Sequence, residues 1–207
     1  MKALIFDLDG VLISTDQYHY KAWKRIADEL GIYFDQGINN RLRGVSRRAC
    51  LDILLENYRG PMLTQEDKER LTEEKNTLYR DMLTNLTPAS VDSEVRSTLI
   101  TLKSRGHKLA VGSSSRNTKF ILEQTELTTL FDAISDGTNI THSKPHPEVF
   151  LKAAQMLGEE SSNCIVIEDA AAGIDAAKAA GMTAVGIGEA AGYGHADICL
   201  QKISDLL

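Results

Sequence analysis

Asp7 and Asp9 close the apolar run of KALIFDLDGVLIS, two carboxylates placed two positions apart. In a parallel sheet, ligands bind beyond the carboxyl ends of the strands, so both acids would stand at that edge. Gly10 would let the chain turn sharply behind them. Three more groups follow in the same manner. The run KLAVG is followed by SSSRN, residues 113–117, hydroxyls at a helix start that could cradle a phosphate. The segment HSKPHPEVF carries Lys144 in a proline-rich turn. CIVI is followed by Glu168 and Asp169, with Gly173 shortly beyond. Each group has an ordinary reading by itself: loop acids, a serine N-cap, a solvated lysine, acidic residues at a helix start. Gathered at one sheet edge, two acidic clusters, a hydroxyl set and a lysine are the parts needed for phosphoryl transfer through a carboxylate.

The elements that must position these groups follow from the apolar pattern. ALIF (3–6), KLAVG (108–112), CIVI (164–167) and TAVGI (183–187) lack period-two alternation, as expected of parallel strands covered on both faces. Helical patterns separate them at 95–106, 118–127, 147–158 and 170–181, and Gly106, Gly158 and Gly181 read as helix stops. Alternating strands and helices imply an α/β fold with a doubly wound parallel sheet. Residues 15–85 break the rhythm with helical patterns only, at 16–31, 46–58 and 64–83. Ser46 and Thr64 are the expected N-caps, with Asp67 completing a capping box. The expected organisation is therefore a sheet domain of 1–14 and 86–207, interrupted by an all-α insert of 15–85.

The 207 residues carry a net charge of −6, which argues against non-specific nucleic-acid binding, since that needs basic surface. Cys50, Cys164 and Cys199 form no metal-binding or disulfide pattern. No apolar run approaches the length that spans a bilayer, and no leader pattern precedes the first strand. The expectation is a reduced, cytoplasmic, soluble monomer acting on a small molecule, with neither a nucleic acid nor a membrane as partner.

DLDGV, SSSRN, the lysine of SKP and the IEDAAAGI run, in this order, resemble the four motifs of haloacid dehalogenase-like phosphotransferases. The helical insert is similar to that family's cap domain. Within the family the chain looks most like the β-phosphoglucomutases, through TDQYHYKAWKRIADELGI, RLRGVSRRA and EEKNTLYRDML. The resemblance implies that Asp7 is a nucleophile forming an aspartyl phosphate and that Asp9 is the general acid/base. It implies Mg²⁺ held by the Asp7 carboxylate, the Asp9 backbone carbonyl and Asp169, with Glu168 in support. Ser113 and Lys144 would neutralise the transferring phosphoryl group. Ser114, Ser115 and Asn117 would face the substrate, the last two at its second phosphate.

In the insert the resemblance implies substrate contacts from Thr15, His19, Trp23, Arg43, Gly44, Arg47 and Lys75, with Asn76 beside Lys75. Arg47 would clamp the distal phosphate, a task its fork suits. Trp23 reads equally as core, and on so charged a helix Lys75 reads by default as a solvated lysine, raised only by the KN pair it forms with Asn76. Three positions depart from the close glucomutases: Ser14 replaces a usual Asp, Arg43 a usual Lys and Ser114 a usual Ala. The implied reaction interconverts β-glucose 1-phosphate and glucose 6-phosphate through glucose 1,6-bisphosphate. A sugar-phosphate or other small-molecule phosphatase is the alternative.

Overall fold

The computed structural model describes residues 2–43 and 45–207; Gly44, expected at the substrate, lies outside them. The chain divides into two compact units, one of residues 1–14 and 86–207, the other of residues 15–85. The first is an α/β unit built on a six-stranded parallel sheet in the order β3-β2-β1-β4-β5-β6. Its strands are β1 (Ala3–Phe6), β2 (Leu109–Gly112), β3 (Ala133–Ser135), β4 (Cys164–Glu168), β5 (Thr183–Gly186) and β6 (Ile198–Cys199). The sequence pattern anticipates four of these. β3 and β6 escape it because they hold three and two residues, too few for any apolar run.

Residues alternate in direction along β1, yet all four of its side chains are buried, because both sheet faces are covered. Ala3 and Ile5 join one cluster with Val149, Phe150 and Ala153 of α7 (Glu148–Leu157) and Ile174 and Ala177 of α8 (Ala171–Ala179). Small residues fill α8, so that helix can lie close to the sheet. Gly106, Gly158 and Gly181 end their helices at φ of +83°, +67° and +72°, the left-handed conformation that relieves a helix C-terminus.

The second unit is helical: α1 (Asp16–Glu29), α2 (Gln36–Asn40), α3 (Arg47–Leu55) and α4 (Gln65–Leu83). α2, five residues long, is the helix that the sequence pattern misses. Ser46 accepts from the amide of Ala49, and Thr64 with Asp67 forms a complete capping box. Trp23, Ile26, Leu51, Leu54 and Leu71 centre this unit's own core. Among the described residues, no helix is long and apolar enough to cross a membrane.

Candidate active site

The strand order reverses beside β1: β2 lies to one side and β4 to the other. A crevice opens beyond the carboxyl ends at such a point, and the first acidic residues fall there. The amide of Asp7 continues the ladder by donating to the Ile167 carbonyl at 2.9 Å, which fixes the first carboxylate beyond β1. Glu168 is the last residue of β4, and Asp169 follows it. One ligand atom each from Asp7, Glu168 and Asp169 lies within 4.8 Å of the others.

Two glycines make this crowding possible. Gly10 has φ of +91°, and a Cβ there would stand 1.9 Å from Asp169 Oδ2. Its amide donates to the Ile13 carbonyl at 2.8 Å, folding the chain back directly after Asp9. A Cβ at Gly173 would stand 1.9 Å from the Glu168 carboxyl carbon, so the first turn of α8 can approach that acid only without a side chain.

Lys144 is the cation of the cluster. Its Nζ donates to Asp7 Oδ1 at 2.5 Å and to Glu168 Oε1, with almost no side-chain exposure. The ammonium also lies 4.8 Å from the ring centre of Phe150, whose π face favours a cation. Burial alone would lower the Lys144 pKa, but the charges of Asp7 and Glu168 outweigh it and hold the group above its usual range. Burial pushes Glu168 up, with Lys144 pulling against it. Asp169 is raised to about 8, first by burial and then by the charges of Asp7, Glu168 and Asp9. One ammonium thus faces several carboxylates, and the cluster has a deficit of positive charge.

The hydroxyl set lies beyond β2. Ser113 is buried, and its amide donates to the Ser135 carbonyl at 3.1 Å. Ser113 Oγ accepts from the Ser115 amide, and Ser115 Oγ accepts from the Asn117 amide, both at 3.2 Å. Ser114 Oγ accepts from the Lys144 amide at 3.3 Å, tying the hydroxyl loop to the lysine turn.

The structure therefore brings Asp7, Lys144, Glu168 and Asp169 together, with Asp9 two residues beyond Asp7 and Ser113–Asn117 on the neighbouring strand end. Sequence reasoning missed Phe150 and Asp136. Phe150 sits two residues into α7, indistinguishable from ordinary core. Asp136 is fully buried after β3 and accepts from the Thr138 amide at 2.9 Å, but β3 itself left no signal.

The helical unit's polar residues form their own networks. Thr15 Oγ1 lies 2.8 Å from the Tyr79 hydroxyl. His19 Nδ1 lies 2.8 Å from Lys75 Nζ, whose ammonium also stands over the rings of Trp23 and Tyr79. Burial, then the charges of Lys75 and Arg47, hold His19 well below the usual imidazole range. Lys75 is buried rather than solvated, and Trp23, 1 % exposed, is packed in the helical unit's core. Arg43 pairs with Asp16 at 3.3 Å. Arg47 bonds Glu73 at 2.9 Å and Asn76 at 2.8 Å.

Known proteins match this chain over most or all of its length. A β-phosphoglucomutase of Bacillus subtilis is 42% identical over 207 residues, which cover 100% of this chain and 92% of that protein. A phosphorylated carbohydrates phosphatase of Thermotoga maritima is 31% identical, covering 88% of this chain and 82% of its own. The crystal structure of a β-phosphoglucomutase from Clostridium difficile superposes with a TM-score of 0.93 at 38% identity, covering 100% of this chain and 93% of that one. The haloacid dehalogenase-like hydrolase profile matches residues 1–181. With its acids at the switch point of the sheet and its buried lysine between them, the chain is an enzyme of the haloacid dehalogenase-like hydrolase family.

Proposed function

We propose that this enzyme is a cytoplasmic, monomeric phosphomutase that interconverts β-glucose 1-phosphate and glucose 6-phosphate. The observation that carries the reading is the Asp7 carboxylate, fixed at the end of β1 by the Lys144 ammonium beside Asp169. In the first half, Asp9 takes the proton of the free 6-hydroxyl of glucose 1-phosphate, whose oxygen attacks the phosphorus of phospho-Asp7 and frees the carboxylate, giving glucose 1,6-bisphosphate. That intermediate turns over before the second half. An Oδ of Asp7 then attacks the phosphorus at C1, and the bond from that phosphorus to the sugar oxygen breaks. Asp9 gives its proton to the departing oxygen, and glucose 6-phosphate leaves with phospho-Asp7 restored. Ser113 and Lys144 stabilise the transferring oxygens, which is where most of the catalysis in such transfers lies.

The carboxylates fit a divalent cation. Three acids around a single ammonium, with Asp169 raised first by burial and then by the neighbouring carboxylates, make a hard, oxygen-only donor set of the kind Mg²⁺ prefers. Asp7, Asp169 and the Asp9 carbonyl would hold it, with Glu168 chiefly orienting Lys144. When bound, the ion supplies charge neutralisation to the phosphoryl group.

The helical unit acts as the cap and supplies the sugar-phosphate contacts. Arg47 binds the distal phosphate, Ser115 and Asn117 assist it, and Thr15, His19, Arg43 and Lys75 address the sugar. Arg43 is already held by Asp16, so it presents a planar cation in a set direction where a Lys would be looser. A phosphatase is the second reading, favoured by the Thermotoga maritima relative and by the presence of every hydrolytic group in the α/β unit. Incubation with β-glucose 1-phosphate, Mg²⁺ and a trace of bisphosphate separates the two. Glucose 6-phosphate as the main product supports the mutase, and free phosphate as the main product overturns it.

A further inference from the structure

His142, His146 and Glu148 lie on the turn that enters α7, on either side of Lys144. One ligand atom from each lies within 4.8 Å of the others. His142 Nδ1 stands 3.1 Å from Glu148 Oε2, and the two imidazole rings approach to 4.5 Å between centres. Glu148 has a structural reason to be where it is. It accepts from the amides of Thr141 at 3.0 Å and His142 at 2.8 Å, and those bonds, the His142 amide first, hold its carboxyl at about 2. His146 Nδ1 accepts from the Glu148 amide at 3.3 Å, which leaves its Nε2 open to a ligand, and both histidines are exposed, so neither supports the core.

We propose that His142, His146 and Glu148 form a binding site for a divalent transition-metal ion of the Zn²⁺ type, distinct from the carboxylate cluster. Two imidazoles and one carboxylate suit such an ion, whereas Mg²⁺ prefers oxygen throughout. Bonds of about 2.0–2.1 Å in a tetrahedral site put ligand atoms roughly 3.3 Å apart. The His142–Glu148 pair already has that separation, and rotation of exposed rings brings in His146. The metal takes the place of the proton between Nδ1 and Oε2. The carboxylate ligand is itself held by two amides, the outer support that metal sites use. Lys152 stands 3.3 Å from Glu148, on the far oxygen, Oε1. Because the His146 amide donates to the Ser143 carbonyl at 3.0 Å, an ion on these three residues clamps the turn that carries Lys144.

The test titrates the full chain, saturated with Mg²⁺, with Zn²⁺ against a chromophoric chelator, and follows hydrogen exchange over residues 142–148. The wild type should bind Zn²⁺ in the presence of excess Mg²⁺ and exchange more slowly over that segment. His142→Ala and His146→Ala should each weaken binding by at least about tenfold. Asp7→Asn, which disturbs the other acidic cluster, should leave it intact. Both histidines are exposed, so the double variant His142→Asn/His146→Asn tests the site without disturbing the fold. Unchanged affinity in that double variant overturns the site, as does loss of binding in Asp7→Asn or no Mg²⁺-resistant binding by the wild type.

Discussion

The ammonium of Lys144 lies 2.5 Å from Asp7 Oδ1 and bonds Glu168 as well, so one buried cation joins the ends of β1 and β4. The three residues are separated by 137 and 24 positions, and the pair with Asp7 forms only when the sheet is complete. Removing the cation leaves two buried acids uncompensated. Lys144→Met should therefore lose about 3–5 kcal/mol of stability at neutral pH, read from urea unfolding. Lys144→Met/Glu168→Gln should recover part of that loss, because one of the stranded charges is gone. A double variant no more stable than the single would mean that Glu168 contributes nothing to the coupling.

Asp7 and Asp9 should separate by role. Asp7→Asn should abolish turnover while the unfolding midpoint stays near that of wild type, and labelled phosphate should appear on no residue but Asp7 in the active enzyme. Asp9→Asn keeps its backbone carbonyl and loses only the proton, so turnover should fall by about 10²–10⁴-fold. Near-normal turnover in Asp9→Asn would move the acid/base role to another group.

Gly10 offers a test of the cluster that replaces none of its ligands. An alanine there must accept φ of +91° and a Cβ 1.9 Å from Asp169 Oδ2. The strain should cost about 1–3 kcal/mol. Because Asp169 must move, the Mg²⁺ concentration for half-maximal activity should rise more than the sugar-phosphate KM. An equal rise in both would detach Gly10 from the metal.

Acid stability should depend on Glu148. Its folded pKa of about 2 lies below the ordinary 4.5, so the unfolded chain binds the proton first. Its contribution is complete above about pH 4.5 and is lost as pH falls toward 2. Glu148→Gln should flatten the unfolding midpoint against pH in that window. His19 is a base with a depressed pKa, so its neutral form favours the fold above the usual 6.5 and the advantage shrinks as pH falls below it. The imidazole signals of His19 should titrate at lower pH than those of an ordinary histidine.

The acids at the sheet edge were legible in the sequence because each follows an apolar run long enough to register as a strand. β3 and β6 were too short to register, and with β3 went Asp136. Lys144 was legible as a residue but not as a contact: nothing in HSKPHPEVF indicates that its ammonium reaches both Asp7 and Glu168, since that depends on parallel pairing of β1 with β4. Lys75 shows the opposite difficulty. Its helix is so charged that a solvated lysine is the natural reading, yet the neutral His19 and two aromatic faces give the ammonium a buried place. Periodicity locates a face, but it does not reveal the partners on that face.

Arg47 should decide which acceptor takes the phosphoryl group from Asp7. The two acceptors are water and a sugar phosphate, and only the second carries a distal phosphate. A cation that holds that phosphate raises the effective concentration of the sugar hydroxyl and does nothing for water. Arg47 is suited to this because Glu73 and Asn76 already fix its guanidinium, at 2.9 and 2.8 Å, leaving less side-chain freedom to lose on binding. Its planar fork also suits bidentate bonding to a phosphate. A charge-assisted bond of about 1.5–3 kcal/mol corresponds to roughly 10- to 150-fold in transfer to sugar. Arg47→Ala should lose that much mutase flux while hydrolysis of the phospho-enzyme stays within about threefold, a shift well below 1 kcal/mol. Glu73→Gln should fall between the two, because it loosens the guanidinium without removing it. Glucose 6-phosphate and free phosphate measured in the same reaction give both rates. An equal fall in the two would show that Arg47 does not distinguish sugar from water, and the mutase reading would lose its strongest support from the helical unit.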